Sequence, residues 1–183
     1  SDPNIVQCDV SSFESIKKLT KQIKKKNKSI FAFINAAGIA SMNLALATPE
    51  ETSKNIISTN LLGTIFSNQL FAPLIIRNGD GGRIINFSTL AIKLGLNGEA
   101  VYIASKAGVE AYSKSLAREL SGFNITVNCI APGPIQTDLL KGVTKIQINK
   151  IVEQQIIPKI CEMKDVVDQV NLLLSSKAKR ISG

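Results

Sequence analysis

The chain has 183 residues, of which 44% are hydrophobic and 20% charged, a composition that suits one globular domain and excludes a disordered tail. Aromatic residues make up 5% and tryptophan is absent, which argues against a nucleic-acid module built on base stacking despite the net charge of +8. Histidine is absent and the three cysteines are widely spaced, which excludes His-based triads and argues against a disulfide framework or a metal site.

Short apolar or β-branched runs alternate with segments of helical periodicity along the whole chain. The predicted strands are residues 5–10, 29–35, 83–88 and 125–130. The predicted helices follow them, at about residues 13–27, 49–76, 100–120, 145–156 and 164–174. Strands that alternate with helices of this length predict an α/β fold with a parallel sheet covered by helices.

Small and polar residues cluster directly after the predicted strands. The carboxyl ends of parallel strands form the edge at which open α/β sheets bind ligands, so these residues are candidates for a site. Each cluster by itself is equally well explained as a tight strand-to-helix turn. The clusters are Asp9 and Val10, then Asn35, Ala36, Ala37 and Gly38, then Ser88 and Thr89, then residues 132–137.

Tyr102 and Lys106 lie four residues apart in the helix predicted over residues 100–120. That spacing places both side chains on one face, with their Cβ atoms about 5–6 Å apart. An ammonium beside a phenol favours the phenolate, so we expect Lys106 to lower the pKa of Tyr102 from about 10 toward neutrality. Such a tyrosine can act as the general acid or base that this His-free chain otherwise lacks. The spacing alone is weak evidence, because many Tyr–Lys pairs merely decorate helix surfaces.

Taken together, the motifs resemble those of the short-chain dehydrogenase/reductase family over essentially the whole chain. The similar segments are Asn35-Ala36-Ala37-Gly38, Thr59-Asn60 with Gly63, Tyr102-Ile103-Ala104-Ser105-Lys106, and residues 127–137. They are similar to the strand-end motif, the helix of the catalytic asparagine, the Y-x-x-x-K motif and the segment at the nicotinamide end of the cofactor. Among the classical members, the chain looks most like the 3-oxoacyl-acyl-carrier-protein reductases.

The resemblance implies a Rossmann-type fold, a doubly wound parallel sheet in three layers, with residues 1–183 forming one partial dinucleotide-binding domain. It implies an oxidoreductase that transfers a hydride between a nicotinamide cofactor, NAD or NADP, and a ketone or secondary alcohol. The alternative is a catalytically silent Rossmann-like scaffold or regulatory protein. The joint presence of four catalytic-type side chains argues against that alternative, since folding alone does not require them.

The resemblance also implies a role for each catalytic candidate. Tyr102 would give a proton to the carbonyl oxygen or remove it from the alcohol, and Lys106 would lower the pKa of Tyr102 and bind the nicotinamide ribose. Asn60 would hold a water that connects Lys106 with solvent. A hydroxyl would polarise the carbonyl. The family commonly has a serine 13 residues before the tyrosine, where this chain has Thr89 preceded by Ser88. We favour Thr89, which carries an equivalent hydroxyl.

Further residues are implied to contact the cofactor. Asp9 and Val10 would meet the adenine, Asn35, Ala36, Ala37 and Gly38 would flank the adenosine, and Pro132, Gly133, Ile135 and Thr137 would hold the carboxamide. The Gly-rich turn that binds the pyrophosphate in the family does not precede Asp9. We therefore expect the first two strands and the last strand of the family fold to be absent from this chain. The strand at residues 29–35 would then have an unpaired edge, and the choice between NAD and NADP stays open.

The predicted partner is a small carbonyl or alcohol substrate, with no nucleic acid and no membrane. The loops at residues 91–101 and 138–155 would line its pocket, where Leu94, Leu96 and Leu139 suggest an apolar wall. Carrier-protein reductases contact their acidic partner through two basic positions near the rim of the active site. Those positions correspond to Asp80 and Phe123 here, which lowers the case for a carrier-bound substrate.

The state of assembly and the location are predicted from the same resemblance and from composition. Relatives associate through the helices equivalent to residues 60–78 and 102–120, so we expect a homo-oligomer, a dimer or tetramer. No stretch approaches 18 uninterrupted apolar residues, and the first residues do not resemble a signal or transit peptide. A reducing compartment suits three unpaired cysteines, and we expect a cytoplasmic protein.

Overall fold

A computed structural model describes residues 5–26, 29–140 and 143–183, and in these ranges helices alternate with strands. The strands are β1 (Ala32–Asn35), β2 (Gly82–Phe87) and β3 (Ile125–Ile130). The α-helices are α1 (Phe13–Lys25), α2 (Glu50–Ile56), α3 (Gly63–Ile76), α4 (Ala91–Leu94), α5 (Ala100–Glu119), α6 (Lys145–Glu153) and α7 (Met163–Leu174). Short 3-10 turns lie at Ala45–Ala47, Ser121–Phe123, Asp138–Leu140 and Ser176–Ala178. None of the helices in the described ranges has the length and apolar character needed to cross a bilayer.

Within the described residues, the strands form one parallel sheet in the order β1-β2-β3. β1 starts later than predicted because it runs alongside β2 only from Phe31 onward, where the Arg83 N–H donates to the Phe31 carbonyl. On its other side, β1 has no paired strand among the described residues, and Phe31 and Ile34 are 45% and 41% exposed. This open edge is the one that the sequence predicts for the strand at residues 29–35.

Helices cover both faces of the sheet, which produces the predicted three layers. On one face, Ile75 of α3 and Leu116 of α5 pack against Ile84 of β2. On the other face, Leu173 of α7 packs against Ile85, the next residue of the same strand. Adjacent strand residues point to opposite faces, so the consecutive isoleucines Ile84 and Ile85 give β2 an apolar residue on each covered face. Burying each of these isoleucines contributes about 1.5–3 kcal/mol.

A π turn at Ile57–Leu62 separates α2 from α3 in the segment predicted as one helix. Hydrogen bonds from residue i to i+5 widen the helix at this point. The turn packs closely on α5, since a Cβ added to Gly108 would lie 3.0 Å from the methyl carbons of Leu61. Asn60, in the middle of the turn, is completely buried. The irregular turn thus places a polar side chain inside the fold.

The strand predicted at residues 5–10 is not formed. Residues 5–9 pair with no strand among the described residues, and Ile5 is 77% exposed. A strand requires hydrogen bonds to a neighbouring strand, and local β-branched composition does not supply them. Asp9 instead shapes the turn before α1, because its carboxylate accepts from the N–H and hydroxyl of Ser11 at 2.9 and 2.7 Å. Ser12 caps α1, because its side chain accepts from the Ser15 N–H.

Candidate active site

A cavity of about 660 Å³ lies at the carboxyl ends of the three described strands. The loops after the strands line it together with residues of α5, α6 and α7. Its volume falls in the range of small-molecule sites. Within the described ranges no cluster of acidic or cysteine side chains is arranged to hold a metal ion. The sequence-predicted residues in its wall are Ala36, Gly38, Ser88, Thr89, Tyr102, Lys106, Pro132, Gly133, Ile135 and Thr137.

Tyr102 lies in the first turn of α5 and is 7% exposed. Its hydroxyl forms a hydrogen bond with the side chain of Thr89. The Thr89 hydroxyl also accepts from the Ala91 N–H at 3.2 Å, which fixes its rotamer at the start of α4. The neighbouring Ser88 hydroxyl donates instead to Glu110 Oε1 at 2.6 Å. Of the two hydroxyls considered from the sequence, Thr89 is therefore the one that contacts Tyr102.

The pKa of Tyr102 is raised, so the predicted lowering is wrong. Burial is the largest cause, the hydrogen bond from Thr89 lowers the pKa, and the charge of Glu99 raises it. Lys106 is not among the groups that shift it, because removal of the phenol from water dominates and the ammonium is bound to the Phe87 carbonyl at 2.9 Å. At neutral pH Tyr102 is consequently a protonated phenol, suited to donate a proton.

Lys106 is buried at the floor of the cavity, between the ends of β1 and β2. Burial lowers the pKa of its ammonium, and the nearby Cys129 raises it. Burial also raises the pKa of the Cys129 thiol to about 11, so this thiol is neutral at physiological pH. A Cβ added to Gly38 would lie 3.3 Å from Lys106 Nζ. The glycine therefore allows the loop after β1 to approach the ammonium closely.

Asn60 lies behind Gly38 rather than in the cavity wall. Its Oδ1 accepts from the Ile39 N–H at 2.8 Å, and its Nδ2 donates to the Ile39 carbonyl at 2.9 Å and to Ser105 Oγ at 3.0 Å. These bonds join the π turn, the loop after β1 and α5. Because both amide hydrogens are engaged, a water that serves Lys106 would have to be held by an acceptor atom of Asn60.

The loop after β3 is held close to the segment that follows α6. A Cβ added to Gly133 would lie 2.8 Å from Gln155 Oε1, so only glycine fits there without a shift. Gln155 Nε2 is buried and has no hydrogen-bond partner among the described residues. Farther along, Ile135 pairs with Cys161 in an isolated parallel bridge. These contacts close one side of the cavity with a segment distant in sequence.

Four residues predicted to contact the cofactor lie outside the cavity wall, and their roles remain predictions. Asp9 is exposed and bonded to the next turn. Val10 packs against Gly63, where an added Cβ would lie 3.0 Å from the Val10 carbonyl oxygen. The four are Asp9, Val10, Asn35 and Ala37.

Sequence reasoning identified only part of the cavity wall. Leu96 and Leu139 line it as predicted, whereas Leu94 does not. Glu99 and Ile151 lie in the wall within the two segments predicted to line it, residues 91–101 and 138–155, although neither side chain was singled out. The apolar residues of α7 were missed because their helical spacing is equally typical of a core face. The wall residues outside the predicted segments include Met42, Met163 and Val166.

Asp80 and Phe123 do not border the cavity. They precede β2 and β3, at the amino ends of these strands, whereas the cavity lies at the carboxyl ends. Both residues are exposed. Within one chain, the prediction that Asp80 and Phe123 lie near the rim of the active site is therefore wrong. The two residues belong to a different surface.

Comparison with known proteins agrees with this arrangement. A family model described as enoyl-(acyl carrier protein) reductase matches residues 1–183. The chain is 33% identical over 178 residues to 3-oxoacyl-(acyl-carrier-protein) reductase FabG of Staphylococcus epidermidis, covering 97% of this chain and 72% of that protein. It is 33% identical over 182 residues to the protein of the same name from Staphylococcus aureus, covering 100% and 74%. It is 34% identical over 171 residues to carbonyl reductase family member 4 of Xenopus laevis, covering 93% and 71%.

Proposed function

Since this chain belongs to the short-chain dehydrogenase/reductase family of NAD(P)-dependent oxidoreductases, which act on ketones and alcohols, we propose that it reduces a small ketone with Tyr102 as the proton donor. One observation carries the proposal. Tyr102, Thr89 and Lys106 lie in the wall of one cavity at the carboxyl edge of the sheet, and the hydroxyls of Tyr102 and Thr89 are hydrogen-bonded.

The residues present fit a nicotinamide cofactor. Gly38 and Gly133 lie in the cavity wall and carry no side chain that could obstruct a flat ring and its ribose. Lys106 has three N–H donors and uses one on the Phe87 carbonyl, which leaves donors for ribose hydroxyls. Thr137 offers a hydroxyl near the predicted carboxamide position. When bound, the cofactor supplies a hydride to the carbonyl carbon.

The protein groups would handle the proton and the charge on oxygen. Thr89 donates a hydrogen bond to the carbonyl oxygen, which stabilises the negative charge that develops there. Tyr102 donates its phenolic proton to the same oxygen, so that the product leaves as a neutral alcohol. Lys106, one helical turn along α5, would hold the ribose of the cofactor. The phenol then recovers its proton from solvent.

The direction of the pKa shift favours reduction. Burial keeps the phenol protonated at neutral pH, the form that donates. Oxidation of an alcohol needs the phenolate, which forms only at higher pH. We therefore expect carbonyl reduction to be the faster direction at neutral pH.

The test is ketone-dependent oxidation of NADH and of NADPH by the wild-type chain and by Tyr102→Phe. Loss of a general acid costs about 10²–10⁴-fold in rate, so Tyr102→Phe should lose turnover by that factor. Tyr112→Phe is the matched control, because it removes the other tyrosine hydroxyl of α5, which packs beside the core instead of lining the cavity. Equal turnover by wild type and Tyr102→Phe would disprove the assigned proton donor.

Cofactor binding separates an enzyme from the silent scaffold. Titration calorimetry with NADH and NADPH measures affinity directly and shows which cofactor the chain prefers. Binding without turnover on any ketone would favour the scaffold. Binding with turnover that Tyr102→Phe abolishes would favour the reductase.

A carrier-bound 3-oxoacyl thioester is a second candidate substrate. It is supported by the names of the two staphylococcal relatives. A panel that contains one free ketone and the matching 3-oxoacyl thioester on an acyl carrier protein distinguishes the two. The carrier-bound form is favoured only when its kcat/KM exceeds that of the free ketone.

We also propose that the chain forms homo-oligomers through the helices at residues 60–78 and 102–120. Leu62, at the start of this region, remains partly exposed although it is apolar. Light scattering on the purified chain tests this assembly. A mass of one chain at micromolar concentration would contradict it.

A further inference from the structure

Glu99 is a carboxylate in the cavity wall to which the proposed chemistry assigns no task. It immediately precedes α5 and lies three residues before Tyr102 in the same wall. The only effect that shifts its ionisation is burial, which raises the pKa of the carboxyl. No hydrogen bond or ion pair from another described residue reaches its carboxylate. Glu99 therefore presents an acceptor to the cavity that the described part of the protein leaves unsatisfied.

Apolar side chains form part of the cavity wall that contains Glu99. Leu96 and Met42 lie in the same wall, and the Met42 Cε would be 3.7 Å from a Cβ on Gly98, the residue before Glu99. The Glu99 carboxylate is half-buried and open to the cavity, so a ligand that covers it must itself bring a donor or leave a buried charge without a hydrogen bond, which is costly. Hydrogen bonds to charged acceptors are about twice as strong as neutral ones. The site therefore gains most from a ligand with an O–H or N–H at this position.

The position of Glu99 relative to Tyr102 indicates which part of a substrate it meets. Residues three apart at the start of a helix share a face, with Cβ atoms about 5–6 Å apart. A substrate whose carbonyl contacts Tyr102 thus extends past Glu99 within a few bonds. An ammonium on the substrate is disfavoured by the charge of Lys106 in the same cavity. A neutral hydroxyl satisfies Glu99 without that repulsion.

We propose that Glu99 is a specificity-determining residue that accepts a hydrogen bond from a substrate hydroxyl near the carbonyl and rejects substrates with a carboxylate there. The preferred substrate class is a hydroxyketone. This inference rests on the proposed function, because the carbonyl is placed by Tyr102.

Three ketones of similar length test the inference: 4-hydroxy-2-butanone, 2-pentanone and acetoacetate. Their binding to the wild-type chain, to Glu99→Gln and to Glu119→Gln is measured by ligand-observed NMR, which needs no turnover. Wild type should bind the hydroxyketone about tenfold more tightly than 2-pentanone, equivalent to about 1.4 kcal/mol. Glu99→Gln should reduce this ratio to about twofold and should bind acetoacetate more tightly than wild type does.

Glu119→Gln is the matched control, since it removes the same charge from the exposed end of α5 and should keep the wild-type ratio. The inference would be overturned if wild type and Glu99→Gln had the same ratio of hydroxyketone affinity to 2-pentanone affinity. Steady-state kcat/KM for the same ketones is measured in parallel. Failure of every ketone to support NADH or NADPH oxidation would refute the proposed function, while the binding ratios would still decide the role of Glu99.

Discussion

Replacing Thr89 by valine removes the hydroxyl that contacts Tyr102 and keeps nearly the same side-chain shape. In the structure this hydroxyl is bonded to Tyr102 and accepts from the Ala91 N–H at 3.2 Å. If it polarises the carbonyl in the reaction, its loss should lower kcat by about 10²–10³, or about 2.7–4 kcal/mol. The stability loss should be small, about 0.5–1.5 kcal/mol, because the bonds that it loses are neutral.

Ser88→Ala should have the opposite profile. Ser88 is buried and donates to the Glu110 carboxylate at 2.6 Å, so its removal leaves a charged acceptor without this donor. Hydrogen bonds to charged groups contribute about 1.5–3 kcal/mol. For a chain of this size that loss lowers Tm by about 3–12 °C. The value of kcat should stay within about threefold of wild type, since the hydroxyl does not contact Tyr102.

The assay pairs kcat at saturating ketone and cofactor with Tm from thermal unfolding, for wild type and both variants. The expected result is a crossover, with Thr89→Val catalytically impaired and Ser88→Ala thermally impaired. A hundredfold loss of kcat in Ser88→Ala with an active Thr89→Val would show that the other hydroxyl serves the reaction. Full activity in both variants would show that neither hydroxyl polarises the carbonyl, and the reasoning from the observed hydrogen bonds would fail.

Three further outcomes follow from the geometry. Glu99→Gln removes a charge that raises the pKa of Tyr102, so the pH midpoint of alcohol oxidation, which needs the phenolate, should move to lower pH; an upward shift in the kcat profile would contradict this. Asn60→Ala loses three hydrogen bonds between segments and should lower the free energy of unfolding, measured in urea, by about 2–3 kcal/mol. An unchanged free energy of unfolding would show that these bonds contribute little to stability. Gly82→Ala places a Cβ 2.7 Å from a backbone carbonyl oxygen and should cost about 1–3 kcal/mol, whereas Gly122→Ala, with nothing within 4 Å, should not.

Most of the fold could be predicted from local sequence because its central elements carry complete local signals. The run that forms β3 is apolar or β-branched at every position except Asn128 and is preceded by Asn124, which has a φ of 56°. The predicted bounds of β3 are confirmed at both ends. Ser12 caps α1, and Gly82 begins β2. Where pattern, cap and turn agree, the element forms as predicted.

The failures share a dependence on tertiary contacts. Residues 5–10 have strand composition but no neighbouring strand among the described residues, and pairing cannot be read from composition. The π turn keeps the apolar spacing of an ordinary helix, so periodicity does not reveal it. The spacing of Tyr102 and Lys106 predicts that they share a face, but not that burial outweighs charge and reverses the pKa shift. Local sequence therefore locates the site better than it predicts its electrostatics.

The extra residue accommodated at Ile57–Leu62 has a geometric consequence for evolution of this fold. Each residue of an α-helix advances the chain by about 100°. Deleting one residue within this segment would restore a regular α-helix. Asn60 and α2 would then be rotated by roughly a quarter turn relative to α3. The Asn60 amide would then lose its hydrogen bonds to the Ile39 backbone, although neither amino acid had changed. The length of this segment therefore sets the position of Asn60 beside Ile39 as much as the identity of its side chain does.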